Sequence, residues 1–200
     1  MVYHNVAEIF DDMQATRNRL WQRVEKLSRA QADFKRAPDA WSVAEILEHL
    51  GKVEQYLVKL FGRSLPAGDV SNGKTLPVEF QPFSMDSHVE STRDLKLESP
   101  EVFVPAGGLP LRELLRRLRA IRDELLALRP RFEAHDLSQI VLPHPVYGPI
   151  NLYKFLTAVG LHENRHLRQI EAIMASPGFP ASELTSNVLP LNEKRRNDYE

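Results

Sequence analysis

The chain has 200 residues, 42% hydrophobic and 26% charged, enough for a single globular domain that buries a core without covalent staples. Lys and Arg number 26 against 27 Asp and Glu, a formal net charge of -1, so the basic footprint of a nucleic-acid-binding protein is missing. No cysteine is present, which excludes thiolate metal sites, a cysteine nucleophile and any disulfide framework.

The first residues, MVYHNVAEIFDDMQ, have neither the basic nor the apolar region of a secretory signal. No window approaches the roughly 20 apolar residues of a membrane span, so a cytoplasmic protein with no membrane partner is expected. From about Tyr3 to Ser28 the positions Val6, Ile9, Met13, Leu20, Val24 and Leu27 recur at three- and four-residue steps and predict a long first helix. Phe10 and Trp21 widen its stripe, while Asp11, Asp12, Arg17, Arg19, Arg23 and Lys26 read as a solvated face. Residues 30–40 read as a link ending in the Pro38-Asp39-Ala40 turn. Ser42 with Glu45 three residues on forms a capping box, so the second helix starts at Val43, with Trp41 and Ile46 as a hydrophobic staple. Trp41 is read as purely structural. Val43, Ile46, Leu50, Val53, Leu57 and Leu60 make the stripe of this helix, with His49 at its edge.

Gly62 to Pro110 is rich in proline and glycine and has no sustained period. A connection of that length in a bundle implies a crossover joining two parallel helices. Short strands or turns are expected near Val78–Phe83 and Val102–Val104, and His88 is read as exposed. Gly107-Gly108 precedes a helix but lacks the Lys-Ser/Thr pair of a phosphate loop. Leu111, Leu114, Leu115, Leu118, Ile121, Leu125 and Leu128 predict a third helix ended by Pro130. Its arginines (Arg112, Arg116, Arg117, Arg119, Arg122) alternate with Glu113, Asp123 and Glu124 and read as solvated surface. His135 to Pro149 reads as a loop. Asn151 caps a fourth helix that runs to about Ser176 and stops at Pro177-Gly178. The expectation is an all-α four-helix bundle over residues 1–176, with a crossover at about 62–110 and a polar C-terminal extension, 177–200, either packed on the bundle or partly disordered.

The fourth helix carries His162 and His166. At i and i+4 they share one face, with Cβ atoms about 5–6 Å apart. They fall within the stripe Leu152, Phe155, Leu156, Val159, Ile170, Ile173 and Met174, which turns them inward. His49 of the second helix would complete a three-histidine set inside the bundle, enough for a metal ion with one coordination position left over. Spacing alone equally suits a pair of hydrogen-bonded or half-exposed histidines. Glu45, Glu48, Glu163 and Gln169 lie close in sequence to the three rings. Glu45 is committed to the cap, and Glu163 is either a group that orients a ligand ring or a surface charge. No Ser-His-Asp set or dinucleotide fingerprint occurs.

WSVAEILEHL at the second helix, Gly148 before the last helix and HENRHLRQI within it together resemble the DinB/YfiT-like superfamily of metal-binding four-helix bundles. The pattern spans about Val6 to Ile173. The resemblance implies a non-sequential helix order and one divalent metal, zinc or nickel foremost, held by His49, His162 and His166, with no departure at these three positions. It further implies a metal-dependent enzyme acting on a small-molecule substrate: a thiol S-transferase using a bacillithiol- or glutathione-like cosubstrate, or a hydrolase. Homodimers are common in such a family. The alternatives are a non-catalytic stress-related or interaction protein with a structural metal, and an apo bundle with a ligand pocket.

Overall fold

The computed structural model describes residues 1–67, 80–92 and 98–181. Among the described residues the elements are, in chain order, β1 (Val2–Tyr3), α1 (Val6–Val24), α2 (Arg29–Asp33), α3 (Val43–Ser64), β2 (Phe83–Ser84), α4 (Asp86–Thr92), a 3-10 turn (Glu101–Phe103), α5 (Leu111–Ala127), α6 (Arg129–Ala134), β3 (Val141–His144), β4 (Gly148–Asn151) and α7 (Leu152–Met174). The long helices α1, α3, α5 and α7 form the four-helix bundle that the sequence predicts.

Their directions follow from which residues meet. Gly51 faces Leu118 and Ile121, and Gln55 bonds Glu124 further along both helices, so α3 and α5 run parallel. Gly160 lies against Met13 and Glu171 pairs with Arg23, so α1 and α7 are parallel as well. Phe61 meets Phe155 while His49 meets His166, which sets the two pairs antiparallel to each other. The long connection between α3 and α5 is therefore the crossover that a parallel pair demands. One strand of it, β2, is anchored by antiparallel pairing with β1.

The helix starts are set by local chemistry. Ser42 and Glu45 exchange both bonds of a capping box, and the Asn151 side chain accepts the Lys154 N–H. Four expectations about the elements need correction. The link 30–40 begins inside α2, because Ser28 and Gln31 form a second capping box. The crossover holds α4 in addition to extended chain. Pro130 does not end the third helical segment: it occupies the first turn of α6, where its missing N–H is harmless. The loop expected at 135–149 contains a hairpin, with Leu142 opposite Ile150 and His144 opposite Gly148. Two strands leave outward-facing edges that tolerate Pro143 and Pro149, and Gly148, at φ +69°, supplies the left-handed residue that closes the three-residue loop. Val78 and Glu79 of the expected first turn lie outside the described residues, as does most of the C-terminal extension, residues 182–200. Its start packs back: Phe179 meets Phe34 edge-on at 5.5 Å, and Gln31 Nε2 donates to the Pro180 carbonyl.

The apolar core has two parts. One gathers Phe10, Met13, Leu57, Phe61, Leu125, Phe132, Phe155 and Val159, and the other Leu20, Val24, Ile46, Leu47, Leu50, Leu118, Leu167 and Ile170. Between them lies a layer of four buried charges, one from each long helix: Arg17, Glu54, Arg122 and Glu163. They close a ring in which each guanidinium bridges both carboxylates. Arg17 bonds Glu54 and Glu163, and Arg122 bonds the same two at 2.6 and 2.7 Å. Leftover donors reach the Leu118 carbonyl from Arg17 and the Met13 carbonyl from Arg122. Arg17 and Arg122, read from sequence as solvated, are only 2% exposed; the ring is electrically neutral, which is what permits their burial.

Candidate metal centre

His49 reaches the site from the second turn of α3, held in register by the capping box, and His162 and His166 from consecutive turns of α7. The three rings meet. His162 Nε2 lies 3.3 Å from His49 Nε2 and 3.1 Å from His166 Nε2, and one ring nitrogen from each residue falls within 4.8 Å of the others. Ring centroids are 4.5 to 5.2 Å apart. His49 and His166 are buried and His162 is half-buried. Among the described residues this is the one group of three or more His, Asp or Glu side chains with metal-binding proximity.

Two of the rings are oriented from behind. The Phe103 carbonyl, on the 3-10 turn, lies 2.9 Å from His49 Nδ1, and Gln169 Oε1 lies 2.8 Å from His166 Nδ1. Both partners are acceptors, so each ring carries its proton on Nδ1 and presents a bare Nε2 lone pair to the centre. His162 Nε2 has at most one proton to share between two such lone pairs. At least one acceptor thus faces another across 3.1–3.3 Å, an arrangement a cation relieves. The donor set fits one: tetrahedral zinc with Zn–N of about 2.0–2.1 Å separates its ligand nitrogens by about 3.3 Å.

The protonation states agree. Burial is the main cause that lowers all three imidazoles. His162, crowded also by His166 and His49, falls well below the ordinary value of 6.5, and His166 falls to about 4. Neutral rings are the form that coordinates metal.

Trp41, read as structural, has its ring centroid 5.0 Å from that of His49 and covers one side of the site. A small cavity beside the rings is lined by Leu50, Val53, Glu54, Leu57, Val159 and His162. Glu163 is neither a surface charge nor a partner of a ligand ring, because both carboxylate oxygens are taken by Arg17 and Arg122. Glu48 accepts the N–H groups of Ala106 and Gly107. Burial would raise its carboxyl, but those two bonds and Lys52 outweigh it and hold the group below the ordinary value.

His144, within the stretch that the sequence presents as a loop, also belongs to the site's surroundings. Its ring stacks on Tyr147 at 4.6 Å, meets Phe155 edge-on at 4.9 Å, and lies within electrostatic reach of His162. His144 Nδ1 accepts from the Val146 and Tyr147 N–H groups, which places its proton on Nε2. Burial drives its pKa down to about 4. The HPVYG turn, a histidine four residues before a left-handed glycine, was the available signal.

Comparisons with known proteins point one way. Residues 12–170 match the family model of the DinB superfamily. The uncharacterized protein YuaE of Bacillus subtilis (strain 168) is 26% identical over 154 residues, covering 76% of this chain and 89% of that protein. Two solved structures share the fold at 18% identity and a TM-score of 0.56, each covering 84% of this chain: TT2238, a four-helix bundle protein, over 99% of its length, and YfiT of Bacillus subtilis, over 85%. YfiT is described as a probable metal-dependent hydrolase with an unusual four-helix bundle topology. Among the described residues no helix is long and apolar enough to cross a membrane.

Proposed function

Since this chain belongs to the DinB superfamily, we propose that it is a metal-dependent enzyme in which His49, His162 and His166 hold one divalent ion and a small-molecule substrate reacts at the remaining coordination position. The observation that carries this reading is the convergence of three neutral imidazoles through Nε2, two of them locked in the coordinating tautomer. Imidazole donors without thiolate suit zinc or nickel. When bound, such an ion supplies Lewis acidity, lowering the pKa of a water or thiol that it binds and polarising a carbonyl.

The chain's own residues do the positioning. Phe103 and Gln169 hold the two rings in place, and Trp41 shields His49. Leu50, Val53, Leu57 and Val159 present apolar surface beside His162, which limits water on the inner side of the site. With no cysteine in the chain, any thiol that reacts must arrive as a cosubstrate. Two reactions suit this arrangement: hydrolysis, favoured by the description of YfiT, and transfer of a small thiol such as bacillithiol or glutathione to an electrophile.

Elemental analysis of untagged protein tests the site. About one ion per chain, lost in His162→Ala with the fold retained, is expected; a metal-free parent under metal-replete expression refutes the reading. Ester and thiol-acceptor probes then separate the two reactions. Turnover of neither, with chelation lowering only the melting temperature, assigns the ion a structural role.

A further inference from the structure

Residues 101–107 form a strap across α3 beside the histidine cluster. Glu48, Lys52 and Tyr56, at i, i+4 and i+8, stand in line beneath it. Glu48 takes the Ala106 N–H at 3.0 Å and the Gly107 N–H at 2.9 Å, one on each carboxylate oxygen. Lys52 donates to the Val104 carbonyl at 2.7 Å and pairs with Glu48 at 3.1 Å, and Tyr56 meets Phe103 edge-on at 5.5 Å. The chain leaves this pair of amides through Gly107 and Gly108, at φ +76° and +82°, a backbone conformation that glycine adopts without strain. The Ala106 and Gly107 amides thus hold an anion that is the protein's own carboxylate.

That site bears on the metal centre because the strap also delivers the Phe103 carbonyl to His49 Nδ1. A backbone carbonyl cannot be aimed by its own side chain; its place depends on where the strap is fastened. Of the three fastenings, Glu48 makes two of the three charge-assisted bonds to the strap and also pairs with Lys52, which makes the other, so it fixes the backbone most firmly. We propose that Glu48 is a positioning residue for the metal centre: by holding Ala106 and Gly107 it fixes the Phe103 carbonyl that keeps the His49 proton on Nδ1 and its Nε2 turned toward His162 and His166. The proposal rests on His49 being a ligand.

Glu48→Ala and Glu48→Gln in the full chain test it through three readouts. Amide hydrogen exchange at 106 and 107 reports whether the strap has loosened. Nitrogen-15 NMR of the metal-free protein reports the tautomer of His49. Cobalt(II) titration gives the affinity and the visible spectrum of the site. The expected result for Glu48→Ala is faster exchange, a mixture of His49 tautomers, an altered cobalt spectrum and a 10- to 100-fold loss of cobalt affinity. Glu48→Gln, which keeps an acceptor for one amide, should lose less. Exchange unchanged in Glu48→Ala overturns the proposal. Faster exchange with cobalt affinity within twofold of the parent and the Nδ1–H tautomer retained also overturns it, leaving Glu48 a purely structural role. A parent that binds no cobalt removes the proposed function instead; the tautomer then decides alone, its loss in Glu48→Ala supporting the positioning role and its retention overturning it.

Discussion

Replacing Arg122 by Met probes the buried charge layer. Arg122 is 2% exposed and bonds Glu54 at 2.6 Å, Glu163 at 2.7 Å, the Met13 carbonyl at 3.2 Å and Gln14 Oε1 at 3.3 Å. Methionine is flexible and roughly fills the space, so little of the effect comes from a cavity. What remains is two carboxylates sharing the guanidinium of Arg17, a net negative charge between two apolar clusters. Removing one partner from a buried pair costs about 3–5 kcal/mol, a large share of the 5–15 kcal/mol typical of a domain. With about 2–4 °C per kcal/mol at this chain length, the melting temperature should fall roughly 6–20 °C. Urea denaturation followed by circular dichroism measures the loss at equilibrium. Adding Glu163→Gln removes the surplus charge and should restore about 1–3 kcal/mol. A single-variant loss below about 1 kcal/mol, or strictly additive losses in the double variant, would refute the view that the ring acts as one neutral unit.

Gly51 lies inside α3, and a Cβ there would meet only Leu118 Cδ2 at 3.7 Å and Ile121 Cδ1 at 3.8 Å, ordinary contact distances. Gly51→Ala should therefore add about 0.8–1.0 kcal/mol of stability from helix propensity, read as a higher urea midpoint; a lower midpoint would show that α3 and α5 cannot accept a methyl group. Acid should weaken the fold through His144, whose pKa is near 4 when folded against 6.5 in the unfolded chain. Between those values the unfolded chain binds more protons, so stability is complete above pH 6.5 and drains away as pH falls toward 4. His144→Asn, which keeps an acceptor for the turn amides but cannot titrate, should flatten the stability–pH curve by at most about 1.4 kcal/mol per pH unit in that window. Parallel curves for the parent and the variant would count against the buried neutral ring.

The four long helices were legible because apolar residues at helical spacing and the Ser42-Glu45 box are local signals. His162 and His166 were legible for the same reason, one turn of helix sufficing to align them. The short elements were harder to read: α2 is five residues long, and β3 and β4 contain prolines that argue against strand unless the strands are known to be edges. The charge layer also has a local signal, one that argues against a solvated face. Arg17 falls four residues after Met13 and three before Leu20, Glu54 likewise between Leu50 and Leu57, and Arg122 between Leu118 and Leu125. Each is a charge at a core position of its helix, and only the pairing of four distant segments reveals that the charges cancel. The orientation of His49 was out of reach, since it depends on a backbone carbonyl 54 residues away.

The antiparallel seam between α3 and α7 joins two helix pairs that are each internally parallel. The candidate ligands sit on opposite sides of that seam, His49 being 113 residues before His162. An ion shared by them is a removable cross-link between the halves of the molecule, worth about 4 kcal/mol when free metal stands a thousandfold above its dissociation constant. A chelator would act on this protein as a reducing agent acts on a disulfide, and the seam is where the stripped chain should first come apart.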